Sequence, residues 1–295
     1  MNRWMKGILT AVLSAAAAVT FCMAAAADTY TYNTKNYSST EFITAEQFDA
    51  ILQTLRNCST EDTSGGVTNA YYTGISCSLE EAEKIMHAFE DLYMGSNSIG
   101  INYSSYGVSA TYQDVYIDPN RKEYTFSTIS NDSMPGGIYV GWLPGSNAPE
   151  SLRQHDEASA KLRDILTSAP QDDRGFYRYL LEWLCHNVTY DFSLPLYSNS
   201  PYAAIVKGSA ICSGYSRAIM AACFMTGRKC YCVSSTLDNT LHSLNVVLYN
   251  GSPKWIDATN ADQSWGIDNS FFLYDLNDEW YRFLFEEPFF QMTGS

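Results

Sequence analysis

The chain has 295 residues with 18 basic and 32 acidic side chains, a net charge of −14. An acidic balance of this size repels phosphate backbones, which argues against nucleic acid as a partner. No run after the first thirty residues is long and apolar enough to span a bilayer.

The first residues, MNRWMKGILTAVLSAAAAVTFCMAAAADTY, place Arg3 and Lys6 before the apolar stretch Gly7 to Met23 and the small residues Ala24 to Ala27. This order predicts a secretory signal peptide over 1–27, cleaved after Ala27; an uncleaved membrane anchor is the rival reading. The leader contains no acidic residue, so the remainder carries 16 basic and 32 acidic side chains, net −16. The expectation is a secreted or cell-surface protein that meets a membrane only through the signal segment. Cys22 leaves with the leader, and seven cysteines remain: Cys58, Cys77, Cys185, Cys212, Cys223, Cys230 and Cys232. An odd count outside the cell leaves one thiol spare. Cys58–Cys77 is a plausible local bridge, and the remaining thiols except Cys212 suffice to pair among themselves. With no C-x-x-C pair and four histidines (His87, His155, His186, His242), the spacing supports no structural zinc site. No contiguous acidic calcium loop is present either, and no cofactor is expected.

Residues 28–42 are rich in Tyr, Ser, Thr and Asn and read as a flexible lead-in. Thr44 with Gln47, and Ser78 with Glu81, have capping-box spacing ahead of two apolar-periodic stretches. In the second, Ala82, Ile85, Met86 and Phe89 recur at helical spacing. From Ile99 the period becomes two: INYSSYGVSATYQDVYID, EYTFSTIS and IYVGWL predict antiparallel strands with one wet face. Residues 43–147 thus form an N-terminal α+β region, either separate or the first layer of one continuous domain. Two helices follow, in ESLRQHDEASAKLRDILTSA and DRGFYRYLLEWLCHNV, then a loop and AAIVKG.

In GSAICSGYSRAIMAACFM, Gly208 and Ser209 fit a loop and Cys212 opens a helix that Gly227 ends. The positive end of the helix dipole favours a thiolate there, and the thiolate is the nucleophile. Gly214 removes side-chain bulk where an acyl group would approach. Cys223, among Ala221, Ala222 and Phe224, has a core setting instead. A thiolate needs an oriented base. KCYCVSS, LHSLNVVLY and KWIDAT read as strands, the last two joined at Asn250-Gly251, the strongest short hairpin signal. With those two as the turn, Tyr249 pairs with Ser252, His242 faces Thr259, and Asp257 lies diagonally on the same face within hydrogen-bonding reach. A four-residue loop ending at Pro253 would shift this register by two. Cys212, His242 and Asp257 together are the residue types acyl transfer requires, with Asp257 fixing the imidazole tautomer.

These segments, with LLEWLCHNVTYD before them, resemble the transglutaminase-like core of the papain-like cysteine-enzyme superfamily, in its secreted bacterial form, over roughly residues 150–275. The resemblance implies an α+β fold with the nucleophile helix packed on an antiparallel sheet, and a catalytic domain over 148–295 closed by a strand in FFLYDLNDEWYRF. It matches Cys212 to the nucleophile, His242 to the base and Asp257 to the third triad member. It also points to Tyr190 as a second oxyanion donor beside the Cys212 backbone N–H. The implied activity is acyl transfer or hydrolysis on protein or peptide amides, including cell-wall peptides or surface proteins. Transferase, cysteine peptidase and a non-catalytic cell-surface module all remain open. The family pattern after the histidine is small residue, Trp, Asn; here it is Ser243-Leu244-Asn245, which puts substrate preference in question.

Overall fold

The computed structural model describes residues 37–60, 70–96, 99–105, 108–110, 136–143, 145–193, 198–237 and 240–275. The expected signal segment, the strand in EYTFSTIS and the end of the chain beyond Asp275 lie outside these residues.

The fold is α+β. Its first element is β1 (Tyr37–Ser39). Helix α1 (Ala45–Asn57) and helix α2 (Leu79–Leu92) follow, on either side of β2 (Tyr71–Tyr72). Both helices start with the capping boxes that Thr44/Gln47 and Ser78/Glu81 encode. The predicted stripe of α2 is buried: Ala82, Ile85, Met86 and Phe89 all face the core, each large one contributing about 1.5–3 kcal/mol by leaving water. Next come β3 (Ile99–Ser105), β4 (Val108–Ala110) and β5 (Gly137–Trp142). They form an antiparallel sheet with β2 in the order β2-β5-β3-β4.

Helices α3 (Ala148–Leu166) and α4 (Asp173–Asn187) lead to β6 (Thr189–Tyr190). A π-helical turn, Ala203–Lys207, precedes β7 (Ser209–Ala210), which runs parallel to β6. Helix α5 (Cys212–Met225) then lies on β8 (Cys230–Leu237) and β9 (Thr240–Tyr249). The chain continues through β10 (Ser252–Ile256), a one-turn helix α6 (Ala258–Ala261), the short pair β11 (Asp262–Gln263) and β12 (Gly266–Ile267), and β13 (Phe272–Asp275). The main sheet is antiparallel, in the order β1-β8-β9-β10-β13. Buried apolar side chains from Ile43 through Ala261 form one cluster that draws on both the N-terminal and the later elements.

Three sequence expectations change. Composition placed residues 28–42 in a flexible lead-in, but Tyr37–Ser39 pair with Tyr231–Val233 as the edge of the main sheet. Their partners lie almost 200 positions away, a pairing no local pattern reveals. The Cys58–Cys77 bridge is absent, and all seven described cysteines are unbridged. The buried Cys58 thiol instead donates to the Leu55 carbonyl at the end of α1 (3.5 Å). Gly214, read as leaving room for substrate, leaves room for the protein itself. A Cβ there would stand 2.7 Å from the Ser198 carbonyl oxygen and 2.8 Å from the Ala210 Cβ.

Helix α5 is buried from Cys212 to Cys223, so its one cation needs an internal partner. Arg217 Nε donates to Asp91 Oδ1 of α2 at 2.7 Å, and its Nη1 donates to the Asn199 carbonyl at 3.3 Å. Ser38 also donates to Asp91. Asp91→Ala is expected to cost about 3 kcal/mol, because the guanidinium loses its counter-charge in a dry site; the urea midpoint at pH 7 measures it.

His155 of α3 is 4% exposed. It accepts the Met94 N–H at Nδ1 (3.1 Å) and stacks on Tyr93 at 4.9 Å between ring centroids. Burial pushes its pKa down to about 4. As pH falls from about 6.5 through 4, the unfolded chain takes up a proton that the native state refuses, so stability is lost across that window. The loss amounts to about 3 kcal/mol. Chemical denaturation at pH 7 and pH 4 should show a steeper decline for the parent than for His155→Gln.

Candidate active site

Cys212 is the first residue of α5, entered through Ile211 in extended conformation, with no side chain capping the helix start. The Ile211 N–H is held by the Ser198 carbonyl at 2.9 Å, and Arg217 holds the neighbouring Asn199. The entry into the helix is therefore pinned from the 198–200 loop. The helix start aims its dipole at the sulfur. Cys212 is 6% exposed.

The Asn250-Gly251 turn has φ of +53° and +74°, the left-handed pair of a type I′ hairpin. Register follows the two-residue turn: Ser252 opposes Tyr249 and Ile256 opposes Asn245. Beyond Ile256 the expectation fails in detail. The strand ends, His242 has no cross-strand Thr259, and Asp257 is the N-cap of α6, with Oδ1 accepting the Asn260 N–H at 3.1 Å. Helix geometry, not strand pairing, therefore delivers the carboxylate. The two side chains still meet: His242 Nε2 lies 2.8 Å from Asp257 Oδ2.

The imidazole also meets the thiol. Cys212 interacts with His242 through its side chain, and with the Tyr190 hydroxyl through both its thiol and its backbone N–H. The structure thus brings together all four sequence candidates, Cys212, His242, Asp257 and Tyr190. Asp257 is 0% exposed and the His242 side chain 17%. Burial opposes the charged imidazole, but the Asp257 charge and hydrogen bond, with the Cys212 contact, outweigh it and hold the His242 pKa well above 6.5. Burial likewise opposes ionisation of Asp257. The His242 charge and hydrogen bonds from His242 and Asn260 reverse that and lower its pKa. Burial and the neighbouring Cys212 push the Tyr190 hydroxyl up, so it keeps its proton as a donor.

The other cysteines have different surroundings. Burial raises the Cys77 and Cys230 thiols, and it pushes Cys185 and Cys232 up to about 12. Thiols of that kind are poor nucleophiles.

Leu244, at the position where the resembled family carries Trp, is 1% exposed and packs with Val233, Val246 and Trp255 in a small second core. The departure is thus a core substitution and does not line the approach to the sulfur. Ser243 and Asn245, on either side, bond to Ser216 of α5 (2.9 Å each) and tie the histidine strand to the nucleophile helix.

Two participants escaped the sequence reading. Asn260 Nδ2 donates to Asp257 Oδ2 at 2.7 Å. Tyr215, one turn after Cys212, donates its hydroxyl to Asp262 Oδ2 at 2.8 Å, linking α5 to the segment carrying the acid. The signal for Asn260 was present: Asp257-x-x-Asn260 has N-cap to N3 spacing. Reading KWIDAT as continuous strand hid it.

No protein-family model matches the chain, and no curated protein matches it. Among solved structures, a transglutaminase ("Crystal structure of a TGase") is similar at 15% identity, over 44% of this chain and 42% of that one, with a TM-score of 0.31. The chain therefore spans less than half the length of that structure. The functional reading rests on the geometry of the site.

Proposed function

We propose that the protein is a secreted thiol enzyme that transfers or hydrolyses acyl groups of protein or peptide amides, in the manner of transglutaminase-like enzymes. The observation that supports this most is a cysteine at the start of a buried helix in contact with an imidazole whose Nε2 lies 2.8 Å from a fully buried carboxylate.

In this reading His242 takes the Cys212 proton, and the resulting thiolate–imidazolium pair is stabilised by Asp257. The sulfur adds to the amide carbonyl. The developing oxyanion is met by the Cys212 backbone N–H and, as Tyr190 turns from the thiol, by the Tyr190 hydroxyl. The imidazolium gives its proton to the leaving nitrogen, the C–N bond breaks, and a thioester remains on Cys212. Water or a primary amine then attacks the thioester, His242 takes the incoming proton, and the thiolate leaves. No metal or cofactor enters these steps.

A glutamine-containing acceptor protein incubated with a fluorescent primary amine, alongside a peptide-cleavage assay, tests this. Label incorporation, ammonia release or cleavage is expected from the parent and none from Cys212→Ala. Labelling identifies a transferase, and cleavage or ammonia release without labelling a hydrolase. Absence of all three, with Cys212 unreactive toward alkylation, would favour the interaction-module reading. Because Asp257 and Cys212 hold the His242 pKa well above 6.5, the alkaline limb of the pH–rate profile should also lie above 6.5.

A further inference from the structure

We propose that Asn260 is a positioning residue of this site, its carboxamide holding the Asp257 carboxylate in the orientation from which Oδ2 meets the His242 ring. The inference rests on the acyl-transfer reading above and deepens it.

Asp257 has no exposed surface, so bulk water does not solvate its charge. A carboxylate in such a place either takes up a proton or is supplied with donors. Asn260 supplies two of the bonds described for it. Its backbone N–H binds Oδ1 at 3.1 Å and its Nδ2 binds Oδ2 at 2.7 Å, while His242 Nε2 binds the same Oδ2 at 2.8 Å. The first bond caps α6 and fixes the carboxylate plane. The second sits beside the histidine on the shared oxygen, with Asn260 Nδ2 3.5 Å from His242 Nε2. One carboxylate thus serves as helix cap through one oxygen and as imidazole partner through the other. Asn260 bonds to both.

The chemistry suits asparagine at this position. Its amide donates without bringing a charge, so the negative charge of Asp257 remains directed at His242. A lysine or arginine would neutralise that charge, and an aspartate would repel it. A leucine would leave Oδ2 with one donor fewer in a dry site. Asn260 is itself braced. Its carbonyl accepts Gln263 Nε2 at 2.5 Å, and the Ala261 N–H returns to the Asp257 carbonyl at 3.0 Å. The Tyr215–Asp262 bond anchors the same segment to the helix that carries Cys212.

Among the described residues, the groups facing the His242–Asp257 pair include Cys212 from α5, Tyr190 from β6 and Asn260 from α6. Asp262 beyond them is engaged by Tyr215 and interacts with His186. Removing the Asn260 amide leaves Oδ2 free to turn away from the ring, and a negative charge held farther from the imidazole stabilises the imidazolium less. The His242 pKa must then fall.

The experiment reads the His242 ring directly, by ¹H–¹³C NMR titration in a Cys212→Ala protein with and without Asn260→Ala. The parent thiol is absent from both, so the result does not depend on turnover of any amide. Failure of this inference is thereby distinguishable from failure of the acyl-transfer reading. His242 is expected to titrate about one pH unit lower when Asn260 is alanine. Asn260→Ser, which keeps a short donor, should give an intermediate value and serves if the alanine variant does not fold. In the Cys212-containing protein, the alkaline limb of the alkylation profile should move to lower pH by a similar amount. An unchanged His242 titration, even with a lowered melting temperature, would reduce Asn260 to a structural residue and overturn the proposal.

Discussion

His242→Ala is expected to slow alkylation of Cys212 by iodoacetamide at near-neutral pH by roughly 10²-fold. The reagent is small and needs little beyond a thiolate, so its rate reports the ionisation of the sulfur and not substrate binding. In the parent, the imidazole touches the thiol on one side while its Nε2 is held 2.8 Å from Asp257. Alanine removes both the proton acceptor and the cation that would face the sulfur. The helix start remains, and the dipole alone contributes about 0.3–1 kcal/mol at such a position, which sustains only slow labelling. Equal labelling of parent and variant would mean that the contact does not activate the thiol.

The second large effect is expected from Asp257→Asn, which preserves size but reverses a hydrogen bond. Asp257 Oδ2 accepts from His242 Nε2, so Nε2 keeps its proton and Nδ1 is the nitrogen left to exchange one with the thiol. An asparagine turned to donate would force the lone pair onto Nε2 and a proton onto Nδ1, where it cannot accept the thiol proton. The variant also loses the buried charge that holds the His242 pKa above 6.5. Turnover of an amide substrate should fall by about 10³–10⁴-fold, with KM little changed because the carboxylate is out of reach of substrate. Circular dichroism and the melting temperature separate this from misfolding. A loss in KM alone would indicate a binding role instead.

Local signals account for much of what the sequence revealed. Thr44/Gln47 and Ser78/Glu81 are complete instructions within four residues, and Asn250-Gly251 sets the register that carries His242. Cys212 was visible because its helix begins where a loop glycine and a change of period coincide. The features that were not visible depend on distance. Arg217 and Asp91 are 126 positions apart, and the pairing of β1 with β8 spans nearly the whole fold. Gly214 responds to the backbone at Ser198, a constraint that no glycine announces locally. At Asp257 the failure was one of competing patterns. Trp255 and Ile256 before it and Thr259 after it favour strand, while the tertiary fold uses the aspartate as a cap and ends the strand at Ile256. Asp257 does meet His242, but from the start of a one-turn helix that also carries Asn260.

The most direct measurement is the rate at which each of the seven cysteines is alkylated in the native protein at pH 7, resolved by peptide mass mapping under non-reducing conditions. Cys212 should label at least about 10²-fold faster than Cys185, Cys230 and Cys232, whose thiols are raised by burial. That advantage should disappear in His242→Ala. A Cys212 found in a disulfide, or labelled no faster than the buried thiols, would contradict its assignment as the nucleophile.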